Sequence, residues 1–349
     1  MVKELTSLRG IFILFIFFHH CLTLYPGGGS MAVAFFFVLG GFSMTLGYHE
    51  RVMKPEFSYR QYLTRRCIKF YPLHWLCLLA TIPLVGVFLD WKHIVVFGLN
   101  ATLMQTLVPL KQLFFSYNAV SWYLADTLFF AVVFPSLMRL IMKSGTHGRM
   151  AIAAVLAALY IVVAVLIPQE WYHPVLYISP YLRLTDFVFG IFLALGYMKL
   201  RERPLPELWK DRGTLLSFVV ILFTVLLVVE SCVIGRTCRH FAPVYWPLIA
   251  AVIIAATTLN QIGGGYNLLQ SRLLQSLGEL SFTVFLTHQL VLRYATILFK
   301  HFQTDNTIIY ISTTLILTII VSLVMERYIL KPITQWLTKR IQPSMTARS

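Results

Sequence analysis

Charged side chains are scarce in this 349-residue sequence, at 12% of positions, where soluble domains carry about 25%. That scarcity excludes an ordinary soluble globular domain. Hydrophobic residues make up 58% and the mean hydropathy is +0.74, so a bilayer replaces water around most of the chain. Acidic residues are scarcer still, 14 against 29 Lys and Arg, which leaves a net charge of +15. In so apolar a chain this excess reads as basic loops held on the cytoplasmic side, and no nucleic-acid partner is expected. The five cysteines show no metal spacing, so no metal site is expected. Cys67 and Cys77 are expected in helices. Cys232 and Cys238 are expected to share one loop, where a disulfide would require an oxidising compartment. No long hydrophilic stretch, internal repeat or low-complexity tract is present. The run Gly27–Ser30 lacks the strand and the Lys-Ser/Thr of a phosphate-binding loop and reads as a tight outer turn.

What is present is a series of apolar runs. Ten spans are expected, at about 6–25, 31–48, 70–89, 118–140, 150–168, 183–200, 214–231, 244–260, 277–299 and 307–328, each able to cover a hydrocarbon layer ~30 Å thick. The segment 91–111 is broken by Gly, Asn and Pro and reads as interfacial or re-entrant. No small-x-small cleavage site follows the first span and Glu4 interrupts its basic leader, so a retained helix is expected. With the N-terminus inside, 22 of the 29 Lys and Arg fall on the inner side. The expectation is an all-α integral membrane protein, a bundle of about ten transmembrane helices with both termini cytoplasmic. One membrane domain over 1–335 would be followed by a basic tail, 336–349.

The first span carries ionisable groups at both ends of its apolar run, LRGIFILFIFFHHC (8–21). From Arg9 to His20 is eleven residues, which a helix turns into three turns plus about 20° and ~16 Å of rise. Both therefore lie on one stripe, and His19 points away from it. Ionisable groups in a bilayer are costly and face a bundle interior or a wet cavity. The competing reading is that Arg9 snorkels to headgroups and His20 caps a buried network. Cys21 is not expected to act as a nucleophile, because adjacent helical positions do not face each other.

LRGIFILFIFFHHC resembles the first-helix motif of the acyltransferase-3 family, membrane-bound acyltransferases that modify surface glycans and other envelope molecules. There an arginine is followed by ten residues and a histidine, matched here by Arg9 and His20. FFFVLGGF (35–42) resembles the second-helix motif, with Gly40 for serine. YLTRRCIKFYPLHW (62–75) resembles a basic YPLYW segment, with Lys69 for arginine, which loses the bidentate fork. SWYLADTLFF (121–130) resembles a Trp-x-Leu segment whose nearest acid here is Asp126. YLRLTDFVFGIFLALGY (181–197) has Asp186 for glutamate. GELSFTVFLTHQLVL (278–292) has His288 at the motif histidine, and MERYILKP (325–332) has Tyr328 for proline. No added soluble hydrolase-like domain is seen. The resemblance implies an O-acyltransferase with acetyl the default group.

Sorted by depth, the polar residues form two tiers. The inner tier, Arg9, Arg65, Arg66, Lys69, Tyr71 and Glu326, is mostly cationic and matches the phosphates of acetyl-CoA or another acyl-CoA; loop charge alone also accounts for Arg65, Arg66 and Lys69. The outer tier, His20, Trp122, Asp126, Arg183, Asp186 and His288, offers imidazoles and carboxylates. Transfer from a thioester to a hydroxyl needs a base, and neutral histidine suits pH 7; His20 is the expected base. His288 would position the acceptor or pack helices. Asp126 and Asp186 would orient a histidine, bind sugar hydroxyls or pair with a cation such as Arg183. Trp122 is expected in the interfacial aromatic belt. The expected partners are the bilayer, an acyl-CoA and a glycan or other hydroxyl-bearing envelope acceptor, in a bacterial inner or other cytoplasmic membrane. The alternative is a transporter or flippase, which buried ionisable residues would serve equally well.

Overall fold

In the computed structural model the described residues are 2–21, 28–86, 90–202, 212–238, 240–262, 267–302 and 306–346, and among them there is no strand. Thirteen helices follow in order: α1 Lys3–Cys21, α2 Gly28–Met53, α3 Tyr59–Val85, α4 Trp91–Ala101, α5 Lys111–Phe114, α6 Ser121–Lys143, α7 Thr146–Leu166, α8 Pro180–Arg201, α9 Gly213–Cys238, α10 Trp246–Leu259, α11 Arg272–His301, α12 Thr307–Val324 and α13 Lys331–Thr346. Among the described residues, ten helical stretches are long and apolar enough to cross a membrane, the last running through a π-helical turn, Met325–Leu330, from α12 into α13. They coincide with the ten apolar runs of the sequence. Internal hydrogen bonding makes such helices the natural way to span lipid.

Two expectations are corrected by helix continuity. Gly28, Gly29 and Ser30 form the first turn of α2 rather than a tight turn; Gly27 lies outside the described residues. Cys232 and Cys238 are both inside α9 and are free thiols. Six residues of helix separate their Cα atoms by about 9 Å, too far for a disulfide.

The chain divides into two compact units. The first comprises 1–51, 140–177 and 181–281. Its helices approach each other through glycine. A Cβ at Gly278 would lie 1.8 Å from the Thr6 carbonyl oxygen, joining α11 to α1, and Gly10 faces the backbone of Gly278 in return. A Cβ at Gly41 would lie 2.0 Å from the Phe187 oxygen and one at Gly190 2.0 Å from the Val38 oxygen, joining α2 to α8. Membrane helices, which gain little from hydrophobic exclusion of one another, pack best where small residues let backbones touch. Glu4 is fully buried and its Oε1 accepts from Asn267 and Gln270, tying the start of α1 to the segment before α11.

The second unit comprises 52–139, 178–180 and 282–349. Tyr59 and Tyr62 donate to the Val132 and Ala131 carbonyls, α3 to α6, and Tyr294 donates to Ala80, α11 to α3. Helix α3 begins eleven residues before the apolar run, because the basic segment 59–69 continues the helix from a Ser58 cap. Within it, Tyr71 donates to the Thr102 carbonyl (3.0 Å), His74 to Asn100 (2.7 Å) and Trp75 to Ala101 (2.9 Å). These are the C-terminal carbonyls of α4, which otherwise lack partners. Helix α4 therefore runs back along α3 to its middle, and Gly98 and Asn100, expected to break this segment, lie inside it. The irregular chain that follows is buried at Leu103, Gln105 and Thr106.

Candidate active site

In the first unit, α1 carries Arg9 half-buried and His20 exposed. The His20 Nδ1 lies 2.9 Å from the Ile16 carbonyl oxygen. A carbonyl only accepts, so Nδ1 carries the proton and the neutral ring has its lone pair on Nε2. The preceding His19 lies against the start of α2, where a Cβ on Gly29 would fall 2.5 Å from its Cδ2. The glycine there makes room for an imidazole. The two rings stand 5.2 Å apart at 83°, so His19 braces the ring of His20.

Asp186 on α8 is fully buried. Its Oδ1 accepts from the Trp246 indole at 2.6 Å, and its Oδ2 lies 2.9 Å from Arg183 Nη1. Arg183 is itself buried, with its guanidinium over Phe37 at 4.9 Å and Tyr177 at 5.5 Å. A buried ion pair of this kind holds its geometry through hydrogen bonds and aromatic faces, since desolvation offsets much of the Coulomb gain. Asp186 is thus engaged by a cation one turn away and an indole sixty residues on. The Arg183 pairing had a signal in the i,i+3 spacing; Trp246 had none, because no local pattern links it to α8.

In the second unit, Arg65, Arg66 and Lys69 lie within α3, with Arg65 and Lys69 exposed and Arg66 stacked over Tyr62 at 5.4 Å. Spacings of three and four residues put them on one side of the helix. Tyr71, expected among them, directs its hydroxyl to the end of α4. Trp122 and Asp126 are one turn apart on α6 and both are buried. Trp122 is therefore packed in protein rather than in a lipid-facing aromatic belt. His288 on α11 is fully buried, and its Nδ1 donates to the Phe285 and Val284 carbonyls at 2.7 and 3.1 Å. Like His20, it is the tautomer with the lone pair on Nε2. Glu326 sits in the π-helical turn and accepts from Thr283 at 2.9 Å. Among the described residues no group of three or more His, Cys, Asp or Glu could hold a metal.

Among the described residues, ten helical stretches long and apolar enough to cross a membrane, with imidazoles, carboxylates and guanidinium groups set among them, mark a multi-pass membrane protein. The chain belongs to the acyltransferase-3 family, whose sequence profile, described as an acyltransferase domain, matches residues 2–327. It is similar to acyltransferase MdmB of Streptomyces mycarofaciens, 27% identical over 295 residues that cover 76% of this chain and 69% of that one. No solved structure matches it significantly. The chain is accordingly a membrane acyltransferase, with an acyl donor and an acceptor as its substrates.

Proposed function

We propose that the protein moves an acyl group, acetyl in the simplest case, from cytoplasmic acyl-CoA to a hydroxyl of a surface or lipid-linked glycan. Both termini lie inside, as the bias of basic residues indicates, and the membrane is the bacterial cytoplasmic one. The domain over 1–335 carries the reaction and the tail 336–349 adds cytoplasmic charge. Each unit supplies cations suited to the donor's phosphates, Arg9 in the first and Arg65, Arg66 and Lys69 in the second, as guanidinium and ammonium groups do elsewhere. His20 takes the proton of the acceptor hydroxyl as the oxygen attacks the thioester carbonyl; the thiolate of CoA leaves and receives a proton. Asp126, His288 and Glu326 support the acceptor side.

The observation that carries this reading is the tether of His20 Nδ1 to Ile16. It leaves the base atom of an exposed imidazole pointed away from its own helix backbone. The offset of ~16 Å between Arg9 and His20 along α1 is comparable to the reach of a pantetheine arm. The test is mass analysis of envelope glycans from cells with the gene, without it, and with His20→Ala. Loss of one acyl mass in both altered strains is expected. An unchanged glycan profile in the His20→Ala strain, at normal protein level, contradicts the base assignment.

A further inference from the structure

The second unit contains a cavity of about 570 Å³ that involves none of the residues assigned above. It lies between the end of α3, the first turns of α4, the loop after α5 and the second half of α11. Lys92, His93, Gln112, Tyr117, Gln289 and Arg293 line it, and no carboxylate does among the described residues. A volume of this size suits a small polar molecule such as one or two sugar rings.

The charge of this cavity is unusual for its place. With both termini inside, as proposed above, Lys92 and Arg293 belong to the seven of 29 Lys and Arg that fall away from the inner side. Charges placed against that bias call for a local reason. Among the described residues neither has an ion-pair partner. The nearest acid in sequence, Asp90, is held by the wall itself: its Oδ1 accepts from the Lys92 and His93 amides and its Oδ2 from His93 Nδ1, so it caps α4 rather than pairing with the Lys92 ammonium.

The wall is also fixed in advance. Tyr117 holds a left-handed backbone, φ 54°, a conformation that a bulky residue keeps only where its surroundings enforce it. Arg293 Nη1 donates to the Tyr117 carbonyl at 2.8 Å, and Phe97 meets the Tyr117 ring edge-on at 5.6 Å. Gln289 Oε1 accepts from the Val120 amide, which anchors this side chain to the loop before α6. The result is a concave surface with two cations and, among the described residues, no carboxylate in its lining, a setting in which an oxyanion can be bound with charge-assisted hydrogen bonds.

We propose that this cavity binds a hydroxyl-bearing molecule with an oxyanion, phosphate or carboxylate, and that this molecule is the acceptor of the acyl group. The acceptor role rests on the acyl-transfer reading above; the anion site does not.

The test measures binding to the full chain in neutral-detergent micelles by titration calorimetry, with glucose 1-phosphate, glucuronate and glucose as probes. The two anionic sugars should bind at least tenfold more tightly than glucose, and Lys92→Gln and Gln112→Glu, both at exposed positions, should each weaken them about tenfold. Equal affinity in the unaltered protein and both cavity variants overturns the site. If only short-chain phosphatidylglycerol shows sensitivity to the two substitutions, the cavity is a lipid headgroup site and the acceptor role is overturned. Acyl-CoA consumption, followed separately, distinguishes the two failures: its absence in the unaltered protein overturns the acyl-transfer reading whatever the calorimetry shows.

Discussion

His20 and His288 are tethered in the same way, each giving Nδ1 to a carbonyl of the preceding helical turn. The tether selects a tautomer, and the tautomer decides whether a ring can take a proton through Nε2. Neither fact is legible in the sequence, which shows only that a histidine lies on a helix; the stripe shared by Arg9 and His20 was legible, because it follows from helical spacing alone. At this scale the Arg183–Asp186 pair makes a sharp prediction. Removing one buried partner leaves an uncompensated charge and costs about 3–5 kcal/mol. Asp186→Leu alone should therefore lower the thermal midpoint of the purified protein strongly, and the double change Arg183→Met with Asp186→Leu should recover part of the loss. A double variant no more stable than the single one contradicts a mutual pairing. Trp122 shows the limit in the other direction: a tryptophan near a helix start suits both a lipid-facing belt and a packed interior, and only its neighbours, distant in sequence, decide.

Among elements, the ten spans were legible because lipid demands long apolar helices. Their ends were less so. Helix α3 extends through a basic segment that hydropathy alone would leave outside, and α9 runs through both cysteines of an expected loop. Which glycines matter was not legible either. Gly10, Gly41, Gly190 and Gly278 are sites where another helix's backbone fills the space of a Cβ. Gly278→Val should abolish recovery of folded protein, read as loss of the monodisperse peak in fluorescence-detected size exclusion. Gly47, with nothing near its Cβ position, should tolerate alanine. Helix α4 offers a pH test at its exposed start. Hydrogen bonds from the His93 backbone and side chain hold the Asp90 carboxyl below the usual carboxylate range. A depressed carboxyl stabilises the fold above its unfolded value of about 3.9 and loses that contribution as pH falls through the lower folded value. Hydrogen exchange at the Lys92 and His93 amides should stay protected to about pH 4 and rise only below it; deprotection already at neutral pH contradicts the cap. At the far end, Tyr71→Phe should speed exchange at 102–106 by freeing one C-terminal carbonyl, with α3 itself unchanged.

For the whole molecule, apolar composition and a one-sided charge were enough to reach a multi-pass membrane protein, and seven motifs in order were enough to reach its family. What linear order does not carry is the irregular chain between α4 and α6, where Pro109 interrupts the helical pattern, and the cavity with Lys92 and Arg293, which forms from segments two hundred residues apart. Topology is open to test at this scale: tags at either terminus should be protected from protease in intact cells and cleaved in inverted vesicles, and the opposite pattern contradicts the charge argument. The most direct measurement of the central claim uses the purified chain in lipid nanodiscs with acetyl-CoA labelled in the acetyl group. Release of free CoA thiol with transfer of the label should occur in the unaltered protein and fall by about 10²–10⁴ in His20→Ala, at equal amounts of folded protein. Undiminished release in that variant contradicts the account.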